Sequence, residues 1–152
     1  MRKGSNRRRF LQIAGIGAGA ALAPALSADA ADPDPLKVNG RIVSDFCLAW
    51  STRDLAKILP FLSDDCVYRM SETTPPVTGH QGVSDRLKQW LADASLVEFR
   101  VLDMKALGPI VMTHRIDRFL TKQPLTWEGV GVFFVKDGKI KEWSDYTIRV
   151  QR

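Results

Sequence analysis

From Val97 onward the chain holds four consecutive runs with apolar residues at alternate positions: Val97–Ala106, Ile110–Thr121, Thr126–Val135 and Ile140–Val150. A period of two predicts strands with one face turned to a core. Gly108-Pro109, Lys122–Leu125 and Lys136-Asp137-Gly138-Lys139 separate the runs. An Asp-Gly pair between two such runs is a strong hairpin signal. Connections this short join antiparallel neighbours, so the C-terminal half predicts a meander.

The residues before the meander read differently. Leu36 to Trp50 carries Val38, Ile42, Phe46 and Ala49 at three- and four-residue spacing, which predicts an amphipathic helix. Ser51-Thr52-Arg53-Asp54 interrupts it, and a second short helix follows over Leu55 to Phe61. Cys66 to Met70 reads as a short strand, and Thr73 to Gly79, with two prolines, as a loop. Gln81 to Ala92 predicts a third helix with Val83, Leu87, Trp90 and Leu91 turned inward. Helices first and a meander last describe an α+β domain. A curved antiparallel sheet wrapped over those helices makes a cone with an apolar pocket inside.

Residues 1–31 are set apart from this fold. Asn6-Arg7-Arg8-Arg9-Phe10-Leu11-Gln12 has the twin-arginine pattern, followed by a mildly apolar, Ala- and Gly-rich stretch from Ile13 to Leu26. Ala28-Asp29-Ala30 then offers a small-x-small cleavage site, with Ala25-Leu26-Ser27 as a rival. The apolar stretch is too short, at about 14 residues against the roughly 20 a span needs, to predict a stable membrane helix. The expectation is export through the twin-arginine translocase, cleavage near Ala30 or Ala31, and a periplasmic or secreted domain over 32–152. The charge supports that division. Of 22 basic residues, five stand at Arg2, Lys3, Arg7, Arg8 and Arg9, and from Asp32 onward 17 basic face 16 acidic residues. The formal +5 is thus an N-terminal address, and nucleic acid is not indicated. Cys47 and Cys66 both sit in apolar runs, which favours buried free thiols over a disulfide.

Strand alternation gathers the chemically able residues. In the run Ile110–Thr121 one face reads Val111, Thr113, Arg115, Asp117 and Phe119. In the last run Trp143, Asp145 and Thr147 share a face. Arg115, Asp117 and Asp145 can therefore meet among apolar neighbours, where charges are costly unless paired. Two acids beside one cation in a low-dielectric pocket have their pKa values pushed apart. One then gives a proton while the other takes one, and such a pair can open a strained epoxide without a metal.

His114-Arg115-Ile116-Asp117-Arg118-Phe119 and Glu142-Trp143-Ser144-Asp145-Tyr146 resemble the Arg-x-Asp and Trp-x-Asp-Tyr strands of limonene-1,2-epoxide hydrolases. Those belong to the cone-shaped superfamily of nuclear-transport-factor-like, SnoaL-like and ketosteroid-isomerase-like proteins. The likeness runs over nearly all of 35–150 in element order, with its chemical content in about five positions. It implies Asp117 as the acid on the epoxide oxygen, Asp145 as the base on the attacking water, and Arg115 as the bridge between them. It also implies a tyrosine holding that water, a position matched by Tyr68. The family's water-holding asparagine, two residues later, is replaced by Met70, which cannot hold water in that way, and Ser71 is the candidate substitute. Met70, Ser71, Trp143, Phe119, Phe46 and Leu87 are the expected substrate-binding residues.

The function read from this is addition of water to a hydrophobic cyclic or terpenoid epoxide, giving a vicinal diol in one step. Two alternatives share the scaffold. One is a ketosteroid-isomerase-like or polyketide-cyclase-like enzyme, disfavoured by an arginine that bridges two acids. The other is a non-catalytic envelope protein that binds a small apolar ligand, favoured by Met70, since one fold serves many tasks. His114 falls on the strand face opposite Asp117 and His80 near the start of a helix. Two histidines without ligand spacing predict no metal, and no cofactor motif is present. Ile110, Met112, Ile116 and Leu120 form an apolar outer face, which predicts a homodimer through the sheet.

Overall fold

The computed structural model describes residues 34–152; the twin-arginine segment and its cleavage site lie outside the described residues. Helix α1 (Pro35–Ala49) starts where Pro35 follows Asp34, whose side chain accepts from the Leu36 N–H at 3.1 Å. Val43, Phe46 and Cys47 are its buried stripe. A 3₁₀ turn over Trp50–Thr52 ends at Arg53, whose φ of 57° reverses the chain. Asp54 then caps α2 (Leu55–Ile58), which passes into a second 3₁₀ turn at Leu59–Phe61. Strand β1 (Leu62–Arg69) begins earlier than the predicted Cys66, and a two-residue β2 (Val77–Thr78) pairs with it inside the predicted loop. Helix α3 (Gly79–Asp93) buries Val83, Leu87 and Leu91. Trp90 corrects the sequence reading: it is 41% exposed. Residues 83, 87 and 91 follow one four-residue line, and at 100° per residue position 90 turns to its edge.

The meander consists of β3 (Leu96–Leu107), β4 (Ile110–Leu120), β5 (Leu125–Lys136) and β6 (Lys139–Gln151). Its bounds lie within a residue or two of the predicted runs. Asp137 and Gly138, both at positive φ, close the last hairpin, with Lys136 facing Lys139. The six-stranded sheet has the order β2-β1-β6-β5-β4-β3. It is mixed, not purely antiparallel: β1 lies parallel to β6, with Tyr68 opposite Trp143. Alternation tells which face a residue takes and not which strand lies beside it.

The inner face of the sheet and the helices enclose one core, with Phe46, Trp50, Phe133 and Trp143 in edge or stacked contact. Cys47 and Cys66 are buried and free. Burial pushes both thiols up to about 12, which leaves them inert. On the outer face of β4, Ile110, Met112 and Leu120 are exposed and Ile116 is half-buried. No helix among the described residues is long and apolar enough to cross a membrane.

Candidate active site

Strand β4 buries Val111, Thr113, Arg115, Asp117 and Phe119 in strict alternation. Arg115 has no exposed surface, yet each of its three guanidinium nitrogens donates a hydrogen bond. Its Nε donates to both Asp117 carboxylate oxygens at 3.0 Å, Nη1 to Thr113 Oγ1 at 3.2 Å, and Nη2 to Asp145 Oδ1 at 2.7 Å. Phe99 and Trp127 lie 5.0 Å from its central carbon, and Phe133 and Trp143 lie 5.8 Å away. Rings at such distances favour a cation in a place where water cannot reach it. Asp145 and Asp117 together raise the Arg115 pKa against the burial that would lower it, so the group stays charged.

Room for this guanidinium comes from β5. Gly131 faces Thr113 and Gly129 faces Arg115 across the ladder. A Cβ on Gly131 would sit 2.0 Å from Arg115 Nη1, and one on Gly129 would sit 2.1 Å from the Trp127 ring. Glycine inside a strand marks such a close approach.

The two acids differ in their support. Asp145 Oδ1 accepts from Arg115 and also from Trp143 Nε1 at 2.8 Å, and among the described residues Oδ2 carries no hydrogen bond. Asp117 shares only the Arg115 Nε–H. Burial, opposed by Arg115 and reinforced by Asp145, pushes the Asp117 carboxyl up to about 7. Burial also raises Asp145, while Arg115 and the Trp143 N–H hold it down. With one cation for two carboxyls, the better-bonded Asp145 is the better supported as an anion, and burial favours a proton on Asp117.

Both acids reach an open cavity of about 260 Å³. Tyr68, Met70, Ser71, Leu87 and Phe119 line it. Tyr68 stacks on Trp143 at 3.9 Å, a contact set by the parallel β1–β6 register, and burial holds its hydroxyl well above its ordinary pKa. The Ser71 hydroxyl lies 2.6 Å from Thr74 Oγ1, so it is already engaged. Phe46 does not line the cavity. It is fully buried and packs edge-on against Trp143 at 5.1 Å, which makes it support for the wall. Trp143 and Arg115 likewise stand behind the wall and act on the cavity through Asp145 and Asp117.

Trp50, Phe99, Trp127 and Val150 also line the cavity and escaped the sequence reading, and Thr147, set on the Asp145 face by alternation, joins them. Trp127 donates to Thr147 Oγ1 at 3.0 Å. A signal was present: Trp127, Gly129, Gly131 and Phe133 share one face of β5, and the two glycines announce a bulky neighbour. Val150 needs the bulge between Glu128 and Gly129, which alternation alone does not show. Among the described residues no group of three or more His, Cys, Asp or Glu is placed to hold a metal.

Comparison with known proteins fits this geometry. A solved LEH-like epoxide hydrolase of Mycobacterium tuberculosis matches with a TM-score of 0.68 at 25% identity, over 75% of this chain and 85% of that one. A candidate polyketide cyclase of Xanthomonas campestris matches with a TM-score of 0.65 at 18% identity, over 74% and 92%. A hypothetical protein of ketosteroid-isomerase-like fold from Catenulispora acidiphila, solved with trimethylamine, matches with a TM-score of 0.62 at 17% identity, over 69% and 83%. The last two likenesses concern the fold alone. Residues 43–143 match the family model described as a SnoaL-like domain, and the chain belongs to that family.

Proposed function

We propose that this protein adds water to a hydrophobic epoxide and releases a vicinal diol. The observation that carries the reading is Arg115 held between two buried carboxyls of unequal support at the wall of an apolar cavity. In one step, Asp145 Oδ2 takes a proton from water as the water oxygen bonds to a ring carbon. That same carbon's bond to the epoxide oxygen, on the side away from the water, breaks, and the oxygen takes the proton of Asp117. Asp145 ends protonated and Asp117 ionised, and exchange with solvent restores both. Arg115 stays charged throughout and steadies whichever acid bears the negative charge. Tyr68, on the cavity wall, is the assigned holder of the water. Cyclic and terpenoid epoxides are the proposed substrates, with no metal or cofactor in the step.

Diol formation from a panel of such epoxides, run in oxygen-labelled water, tests this directly. Label in the diol, with turnover abolished in Asp145→Asn, is the expected result. A fully active Asp145→Asn would sink the mechanism.

Met70 favours a second reading. It lines the cavity where the hydrolases use asparagine, and the Ser71 hydroxyl beside it is held by Thr74. A water fixed by fewer partners suits an isomerase or cyclase that moves protons on a carbonyl substrate, or a protein that only binds an apolar ligand. Turnover of enones, or tight binding without turnover by the folded protein, would select between these.

Export through the twin-arginine translocase, cleavage near Ala30 or Ala31, and action in the periplasm or outside the cell complete the proposal. Pairing of two copies through the outer sheet face is part of it, on the strength of the exposed Ile110, Met112 and Leu120.

A further inference from the structure

A second open cavity, of about 380 Å³, adjoins the one that holds the acids. Both are lined by Trp90, Phe119 and Leu125, so these three side chains form a common wall. Beyond that wall the lining changes character. Asp93, Thr121, Lys122 and Gln123 line the second cavity, where the inner chamber is mostly aromatic and aliphatic, with Ser71, Thr147 and Arg152 beside the two acids. Lys122 and Gln123 come from the β4–β5 connection, and both are exposed. Among the described residues Lys122 forms no ion pair.

Size separates one chamber from two. Small-molecule sites usually enclose roughly 300–1,000 Å³. The inner chamber alone, at about 260 Å³, falls just below that range, and the two together lie inside it. Trp90 also needs an explanation that packing does not supply. It is a large aromatic left 41% exposed, with its ring edge-on to Phe119 at 5.6 Å. A ring so placed offers a flank along which an apolar chain can lie.

We propose that the substrate spans both chambers: an epoxide-bearing apolar head beside Asp117 and Asp145, an apolar stem along Trp90, Phe119 and Leu125, and a terminal oxygen, hydroxyl or carboxylate, that accepts a hydrogen bond from Lys122 or Gln123. This rests on the hydrolase reading for the identity of the head and extends it to the rest of the molecule. Asp93, also on the outer lining, accepts from a hydroxyl and repels a carboxylate, so the two end groups are distinguishable.

The test uses three ligands of one length: 1,2-epoxyundecane, 10,11-epoxyundecan-1-ol and 10,11-epoxyundecanoic acid. Binding is measured by calorimetry on Asp145→Asn, where turnover does not interfere, and KM for diol formation on the unsubstituted protein. At least one oxygen-ended ligand is expected to bind about ten-fold tighter than the alkyl epoxide, the scale of one charge-assisted hydrogen bond. Lys122→Met closes the gap for the acid, and Gln123→Ala narrows it for the alcohol. Leu125→Trp, which fills the common wall, weakens all three. Equal affinity for the three ligands, or a gap that survives Lys122→Met and Gln123→Ala together, overturns the two-chamber substrate. The two readings fail separately. An oxygen preference in binding, with no diol formed from these ligands or from the cyclic and terpenoid panel, removes the hydrolase and leaves the outer chamber's role. Diol formed from all three with equal KM removes the vestibule and leaves the hydrolase.

Discussion

Asp117 and Asp145 are the same residue type within bonding reach of one guanidinium, and their surroundings set them apart. Asp145 gathers two N–H donors on one oxygen, while Asp117 shares a single N–H and is pushed up to about 7. Asp117→Asn and Asp145→Asn should each lower kcat by about 10²–10⁴, the usual worth of a positioned acid or base, with near-native circular dichroism. On the proposed mechanism Asp117 must hold a proton and Asp145 must be free of one, so kcat should fall as pH rises through about 7 and fall again in acid as Asp145 takes up a proton. The proton on Asp117 also links stability to pH. The folded chain binds it up to about 7, whereas the unfolded chain releases it near the ordinary 3.8. This group's contribution is therefore fully present below the unfolded value and is lost as pH climbs through about 7. The loss amounts to at most about 4 kcal/mol. Urea unfolding across pH 4–8 should show a decline that flattens in Asp117→Asn. An equal slope in both proteins would show that Asp117 is not the proton carrier.

Strand β5 shows how an element serves a site that it does not itself furnish with an acid or base. Its Trp127, Gly129, Gly131 and Phe133 face inward, with the two glycines opposite the residues that hold the guanidinium. Gly131→Ala places a methyl group against Arg115 Nη1 and Thr113 Oγ1. Overpacking of that kind costs about 1–3 kcal/mol, and the arginine must shift to relieve it. We therefore expect a lower urea midpoint together with lost activity. A Gly131→Ala protein of full stability and full activity would mean that Arg115 is not held where its hydrogen bonds place it. In β4, by contrast, each inward residue was evident from alternation, because the strand runs unbroken from Ile110 to Leu120.

At the scale of the whole molecule, the sheet turns one face to the core and leaves Ile110, Met112, Leu120 and Phe134 exposed on the other. Ile110 and Phe134 are direct ladder partners, so the patch crosses two strands. Sedimentation at micromolar concentration should find a dimer, and Met112→Lys should shift it toward monomer by placing a charge in the contact. Only monomer in the unsubstituted protein would remove the homodimer. Separation of the halves would also show whether each cavity pair works alone.

Local chemistry was enough to determine the order of the main helices and long strands, the Asp137-Gly138 hairpin, the inward face of β4 and the placing of Arg115 with two carboxyls, since periodicity and turn residues act over a few positions. Three other features needed the tertiary structure. One is the parallel β1–β6 pairing that lays Tyr68 on Trp143; another is the retreat of Phe46 behind the wall; the third is the second chamber beyond Trp90. Each depends on contacts between residues far apart in the chain. Such contacts follow from how strands are ordered and bulged, and alternation within a single strand carries no information about its neighbours.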